Sequence, residues 1–109
     1  MISYDEFKKV EIKAGKILSA EKVPDTDKLL RLMVDFAEEA PRQIVSGIAG
    51  YFENPLSLIG RTAMFVTNLQ PRTICGLESN GMLFAVSTPE GAFSLLEPNN
   101  LIPPGTLAK

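Results

Sequence analysis

The chain has 109 residues, of which 45% are hydrophobic and 22% charged, and its formal net charge is -2; these values predict one globular domain spanning residues 1–109. It contains no histidine and one cysteine, Cys75, which excludes an internal disulfide, argues against a zinc site and removes the commonest general base. The chain lacks both a signal peptide and an apolar run of roughly 18 residues, so we predict a cytoplasmic protein that is not bound to a membrane. We also predict that it binds no metal and no cofactor.

The N-terminal half of the chain predicts a short helix followed by three strands. Ser3 and Glu6 have the spacing of a capping box, which marks the start of a helix. Downstream, apolar and charged residues alternate with a period of two, and Gly15 interrupts the alternation as a bulge or a sharp bend would. The predicted elements are a helix over residues 4–9 and strands over residues 10–23, 29–36 and 42–48.

The C-terminal half predicts two further main strands and a short sixth strand. Asn54 and Pro55 begin a short helical turn that ends at Gly60. The tail from Leu95 to Leu107 mixes prolines with apolar residues, and a second copy of the chain is expected to cover it. Strands are predicted over residues 61–69, 81–87 and 93–96, with a loop over residues 70–80.

The order of these elements predicts an all-β fold. Five strands with a small helix between the third and the fourth are typical of the OB fold, a five-stranded Greek-key barrel. A β-sandwich would need about seven regularly spaced strands, so the barrel is favoured. The residues predicted to fill its interior are Ile12, Leu32, Val34, Val45, Phe65 and Leu83.

Four stretches of the sequence, taken in order, resemble one family. They are residues 27–29 (DKL), 42–48 (RQIVSGI), 68–72 (NLQPR) and 76–82 (GLESNGM). The chain resembles the tRNA-binding domain found at the C-terminus of many bacterial methionyl-tRNA synthetases and in free-standing dimeric tRNA-binding proteins. The resemblance implies an OB-fold homodimer that grips tRNA by shape and backbone without reading its bases. It also implies the catalytic part of a methionyl-tRNA synthetase as a partner.

Six candidate tRNA-binding residues follow from the resemblance, and several have a structural alternative. For Arg42 the alternative is an ion pair with Glu38 or Glu39. For Asn68 it is a hydrogen bond within its own turn, and for Met82 it is a place in the barrel core. The six candidates are Lys28, Arg42, Asn68, Arg72, Ser79 and Met82.

The charge and the aromatic content limit how a nucleic acid is held. Because the net charge is slightly negative, a local patch has to attract the polyanion. No exposed aromatic platform is expected, and Tyr51 and Phe52 are predicted to cover one end of the barrel, so base stacking is not the expected mode. The expected basic stripe consists of Lys13, Lys28, Arg31, Arg42 and Arg72.

Two functions remain open at the level of sequence. One is a tRNA-binding and dimerisation module; the other is an OB module that only dimerises or binds proteins as a chaperone does. An independent enzyme is not favoured, because the sequence shows no histidine dyad, metal cluster, nucleotide-binding loop or poised pair of carboxylates. Salt-sensitive binding of tRNA distinguishes the first function from the second.

Overall fold

The computed structural model describes all 109 residues, and β-strands dominate it. One helix, α1 (Tyr4–Phe7), begins at the predicted capping box and ends earlier than predicted. Two 3-10 helices, Ala49–Tyr51 and Pro55–Leu58, separate the third strand from the fourth, and no helix is long and apolar enough to cross a membrane. The strands are β1 (Ile12–Lys22), β2 (Leu30–Asp35), β3 (Arg42–Ser46), β4 (Thr62–Val66), β5 (Arg72–Ile74), β6 (Leu77–Ser79), β7 (Met82–Leu83), β8 (Ala85–Ser87) and β9 (Phe93–Leu95).

Five antiparallel strands form the main sheet in the order β3-β2-β1-β4-β7, and the sheet curls into a nearly closed barrel. Three hydrogen bonds bridge the seam between β3 and the residues that precede β7, one of them from Gln43 Nε2 to the Glu78 carbonyl over 2.9 Å. The Val45 amide donates to Ser79 Oγ over 3.0 Å, and the Asn80 amide donates to the Gln43 carbonyl over 2.8 Å. The prediction of an all-β, five-stranded barrel is confirmed.

The long strand β1 belongs to both halves of the barrel, because it pairs with β4 through its first half and with β2 through its second. Its register shifts between Ile17 and Ser19, so the bulge lies there and not at Gly15. Gly15 permits close packing instead. A Cβ atom at Gly15 would lie 2.6 Å from both Val34 Cγ1 and Phe36 Cε1, so any larger residue would displace core side chains.

One hydrophobic cluster fills the barrel and contains four of the six residues predicted for its interior. The prediction is wrong for Ile12, which is only half-buried and lines a pocket beside α1. It is also wrong for Val45, which is buried outside this cluster. Since side chains alternate along a strand, Val45 lies on the opposite face of β3 from the core residue Ile44. The four confirmed residues are Leu32, Val34, Phe65 and Leu83.

Local turns overturn two predictions in the C-terminal half. The predicted loop over residues 70–80 contains a hairpin, β5–β6, whose turn residues Cys75 and Gly76 have φ angles of 49° and 78°. Positive φ at both central residues is the geometry of a two-residue hairpin turn that matches the strand twist. The predicted strand over residues 81–87 is broken at Phe84 into β7, which pairs with β4, and β8, which pairs with β9.

Candidate nucleic-acid interface

Three of the six candidate residues meet at a small pocket between the β5–β6 hairpin and the barrel. Arg72 and Ser79 are paired across the hairpin, and Met82 is the first residue of β7. All three line this pocket of about 90 Å3, together with Leu69 and Val45. We call this group of five residues the Arg72 face. Sequence reasoning missed Val45 and Leu69, because the hairpin that brings them to the pocket was predicted to be a loop.

Arg72 is the one arginine of the chain without an ion pair. It is exposed and donates no side-chain hydrogen bond within the chain. Cross-strand pairing puts its side chain on the same face of the hairpin as Ser79, whereas Glu78 lies on the other face. Arg72 is therefore a cation with all its donors available to an anion. The paired arginines are Arg31 with Glu21, Arg42 with Glu38 and Arg61 with Glu97.

Met82 and Leu69 give the Arg72 face its apolar part. Met82 is 44% exposed and Leu69 is 47% exposed. The alternative that placed Met82 in the barrel core is wrong, because its neighbour Leu83 is the residue of β7 that points inward. An exposed, polarisable methionine beside a free arginine is suited to contact with a ribose or the face of a base.

Ser79 lies on the same face, but its hydroxyl is already engaged. The side chain is buried, accepts a hydrogen bond from the Val45 amide over 3.0 Å and donates one to the Gly81 carbonyl over 3.3 Å. The first of these bonds satisfies the backbone amide of Val45 at the free edge of β3. Its geometry suits a residue that holds the hairpin against the barrel.

Arg42 is surrounded by partners at one end of the barrel. Its Nε and Nη2 atoms donate to the two carboxylate oxygens of Glu38 over 2.8 and 2.7 Å, and Nη1 donates to the Thr67 carbonyl over 2.6 Å. The guanidinium carbon also lies 5.4 Å from the centre of the Phe36 ring. The predicted ion pair with Glu38 is present, and the hydrogen bond from Arg42 holds the pKa of Glu38 below its usual range.

The end of β4 continues this network towards the N-terminal segment. Thr67 Oγ1 donates to Glu11 Oε1 over 2.6 Å, and this bond is the main cause that lowers the pKa of Glu11. Asn68 Oδ1 accepts from the Glu11 amide over 2.8 Å, and Asn68 Nδ2 donates to the Lys9 carbonyl over 2.6 Å. Asn68 thus bonds across to the N-terminal segment and not within its own turn. We call Glu11, Glu38, Arg42, Thr67 and Asn68 the Arg42 network.

Lys28 lies apart from the other candidates. Leu30 pairs with Ser46 and Val34 pairs with Arg42, so Lys28 and Arg42 lie at opposite ends of the β2–β3 pair, roughly 20 Å apart along the strands. The expected basic stripe is broken by carboxylates, since Lys13 contacts Glu11 and both Arg31 and Arg42 are paired. Only two of its five members, Lys28 and Arg72, form no ion pair.

An exposed aromatic pair lies near Lys28, contrary to the sequence-based expectation. The rings of Tyr51 and Phe93 are stacked, with centroids 4.2 Å apart and an interplanar angle of 11°. Phe52 packs against Phe93 edge-to-face, but Tyr51 is 47% exposed. No local pattern could have predicted the pair, because its two rings come from segments far apart in the sequence.

The sequence comparisons point to one family. Residues 12–107 match the family described as "Putative tRNA binding domain". The chain is 53% identical over 105 residues to a methionine–tRNA ligase of Methanospirillum hungatei, covering 96% of this chain and 15% of that protein. A methionine–tRNA ligase of Myxococcus xanthus is 51% identical over 102 residues, which are 94% of this chain and 14% of that protein. The chain therefore spans about 15% of the length of the curated relatives it matches.

Two solved structures share the fold over the whole chain. The MetRS related protein from Pyrococcus horikoshii has a TM-score of 0.90 and 38% identity, covering 100% of this chain and 98% of that one. The chaperone CsaA from Bacillus anthracis has a TM-score of 0.87 and 28% identity, covering 100% and 99%. The resemblance drawn from the four sequence stretches is confirmed.

Proposed function

The chain belongs to the tRNA-binding domain family, and we propose that it holds tRNA through phosphate and ribose contacts at the Arg72 face, without reading base sequence. The observation that carries the proposal is the free, exposed guanidinium of Arg72 beside the exposed apolar side chains of Leu69 and Met82. Arginine presents several N–H donors in a geometry that matches phosphate oxygens. Contacts of this kind position a nucleic acid but do not discriminate between sequences.

The six candidate residues then divide by what their side chains touch. Arg72 supplies the charge and Met82 the apolar contact, while Lys28 adds a second cation farther along the barrel. The remaining three, Arg42, Asn68 and Ser79, act indirectly, because their polar atoms already bond within the chain. They fix the strand ends and the hairpin that carry the contact residues.

The slightly acidic chain is compatible with this binding mode. A polyanion is attracted by the local electrostatic field and not by the net charge of the chain. Ion pairs neutralise the other three arginines, so Arg72 is the arginine whose charge remains available. The cleft beside Arg42 is less suitable, because the carboxylates of Glu38 and Glu78 line it. Few phosphates are therefore neutralised, and binding by one copy is weak and sensitive to salt.

A second copy of the chain would strengthen such binding and cover the exposed apolar termini. None of the residues of α1 is buried, and Tyr4 and Phe7 are 75% and 51% exposed. A pocket of about 210 Å3 lies between α1 and the C-terminal end at Ala108. Leu107, 56% exposed, belongs to the same end of the chain. A two-fold dimer through these termini buries them and doubles the number of tRNA contacts.

The domain spans residues 1–109 in this proposal and has no catalytic role of its own. The matched region lies in the C-terminal part of the methionine–tRNA ligases, outside their catalytic portion. It would supply tRNA binding to the catalytic part of a methionyl-tRNA synthetase, either in the same chain or as a separate subunit.

Protein binding in the manner of a chaperone is a second candidate, favoured by the likeness to the chaperone CsaA from Bacillus anthracis. The exposed apolar residues of the two termini suit that function as well. Protein binding of this kind does not need the positive charge of Arg72. It also predicts binding that persists or strengthens at high salt, since burial of apolar surface is not screened.

A titration with unfractionated tRNA at about 50 and about 200 mM salt, with sedimentation of the free protein, tests the proposal. We expect binding at low salt that weakens at high salt, similar affinity for different tRNA species, and a dimer at tens of micromolar, roughly the range for a standard interface. Absence of tRNA binding at low salt would reject the tRNA function in favour of the second candidate. Sedimentation as a monomer would reject the proposed dimer but not the proposed tRNA binding.

A further inference from the structure

The Tyr51–Phe93 stack is a rigid aromatic surface with an accessible outer ring. Phe93 packs against the hydrophobic core and is fixed from the side by Phe52, whose ring centroid lies 5.6 Å away at an angle of 90°. Tyr51 lies parallel on Phe93, yet 47% of it is exposed. An aromatic ring whose position is fixed before binding loses little conformational entropy when a second flat group stacks on it.

The space beside the stack is large enough for a nucleoside. A pocket of about 560 Å3 is lined by Tyr51, Phe52 and Phe93 together with Arg61, which is within the usual range for small-ligand sites of about 300–1,000 Å3. Gly50 lines the pocket as well, and a Cβ atom there would meet nothing within 4 Å. The opening is therefore not narrowed by side chains at this point.

One hydrogen-bond donor of the pocket is free to bind a phosphate oxygen. No carboxylate lines the pocket. Arg61 is held by Glu97 through its Nε and Nη2 atoms, at 2.9 and 2.8 Å, which leaves Nη1 without a partner. The Lys28 carbonyl accepts a hydrogen bond from the Ala49 amide over 2.9 Å, so an exposed lysine without an ion pair lies next to the turn that carries Tyr51.

The pocket is also within reach of a strand bound at the Arg72 face. Val45 belongs to that face, and Tyr51 follows it by six residues, so their Cα atoms are at most about 22 Å apart. An OB fold typically covers about 4–16 nucleotides of single strand. A nucleic-acid segment of that length is long enough to reach from one site to the other.

We propose that the Tyr51–Phe93 stack is a second RNA contact that takes one unpaired base of the bound RNA. The base stacks on the Tyr51 ring and its phosphate binds Arg61 Nη1, with Lys28 as a second cation next to the turn that carries Tyr51. Bases in a duplex are covered on both faces, so the site selects loops and single-stranded ends. This inference rests on the proposed tRNA function, because it adds a contact to the same ligand. Stacking accepts any base, which agrees with a module that does not read sequence.

Substitution of the outer ring tests the contact in the whole chain. Tyr51→Leu should weaken the affinity for unfractionated tRNA about five- to tenfold, the lower part of the range for loss of one stacked base. The slope of binding against salt should not change, because no charge is removed. The matched control, Tyr51→Phe, keeps the ring and should bind like the parent. Equal weakening in both variants, or no weakening in a folded Tyr51→Leu variant, would overturn the proposal.

A second measurement does not depend on the stability of that variant. The chain has no tryptophan and only two tyrosines, Tyr4 and Tyr51, so in a Tyr4→Phe protein the fluorescence comes from Tyr51 alone. We expect a short single-stranded oligoadenylate to quench it and the same strand in a duplex to quench it much less. No quenching by the single strand, while the protein still binds tRNA, would overturn the stacking site and leave the tRNA function standing. Quenching without any tRNA binding would support the site and reject the proposed ligand.

Discussion

The Arg42 network and the Arg72 face both place an arginine at the edge of the barrel, and they differ in what that arginine touches. Arg42 has a carboxylate, a carbonyl and an aromatic ring as partners within the chain. Arg72 has no such partner, although it begins a strand of a hairpin that packs against β3, the strand that Arg42 begins. Both residues belong to stretches that resemble the same family, but their surroundings assign them different tasks.

The difference separates residues that position a binding surface from residues that contact the ligand. A hydrogen bond that is already made within the protein has to be broken before the same donor reaches a ligand, and where the partner is buried, as Thr67 is, the broken bond leaves a polar group unsatisfied. A free surface cation has no such penalty. The Arg42 network should therefore affect stability first and binding second, whereas Arg72 and Met82, the exposed contact residues of the Arg72 face, should affect binding alone.

The largest effect on stability is expected for Arg42→Ala. The substitution removes a bidentate ion pair and leaves the Thr67 carbonyl without its donor, so the free energy of unfolding should fall by about 2–3 kcal/mol. Urea unfolding measures it. The matched control is Arg31→Ala, which loses an exposed ion pair with Glu21 and one side-chain hydrogen bond to Gln43, and should lose only about 1 kcal/mol. Equal loss in the two variants would contradict a structural role specific to Arg42.

Asn68→Ala is expected to have the next largest effect. Its amide makes two hydrogen bonds to the N-terminal segment, and their loss should lower the free energy of unfolding by about 1–2 kcal/mol. Amide hydrogen exchange should rise at Glu11, whose N–H loses its acceptor. Asn99, exposed and without a side-chain hydrogen bond, serves as the control. If tRNA affinity falls in a variant of unchanged stability, Asn68 contacts the ligand directly.

Acid should weaken the Arg42 network by a smaller amount. The pKa values of Glu11 and Glu38 are lowered in the folded chain by hydrogen bonds from Thr67 and Arg42. Their contribution to stability is present above the unfolded value of 4.5 and is lost as the pH falls through the folded values. Urea unfolding between about pH 6 and about pH 3 should show this loss. A Glu38→Gln variant should lose less stability on acidification than the parent, and an identical pH dependence would contradict the assignment.

The residue patterns in the sequence were sufficient to predict the fold, but they were not sufficient to predict which groups surround each side chain. Alternation in the strands and the order of elements predicted the barrel and four interior residues, because these depend on local periodicity. Val45 was misplaced because strand periodicity does not reveal that the β5–β6 hairpin covers the outer face of β3. The turn signal for that hairpin was present, since Gly76 follows Cys75, but it lay in a stretch predicted to be a loop.

The site was only partly predictable for the same reason. The motifs identified Arg72 and Met82 as candidates but could not separate them from Arg42 and Asn68. The ion pair of Arg42 with Glu38 was an alternative that the sequence offered, but the contacts of Arg42 with Thr67 and of Asn68 with the N-terminal segment join residues distant in sequence. Glu11, which accepts from Thr67 and donates to Asn68, shows no pattern that would mark it. Three-dimensional contacts of this kind decide whether a polar residue is available to a ligand.

Arg72→Gln should leave stability almost unchanged, within about 0.5 kcal/mol, because the side chain has no partner in the chain. The dependence of tRNA affinity on salt in this variant is the most direct test of the proposed binding face. Compared with the parent, the slope of log affinity against log salt should be shallower by about one unit, the loss of one phosphate contact, for every tRNA alike. A folded, dimeric Arg72→Gln variant with the affinity and the slope of the parent would show that tRNA is held elsewhere.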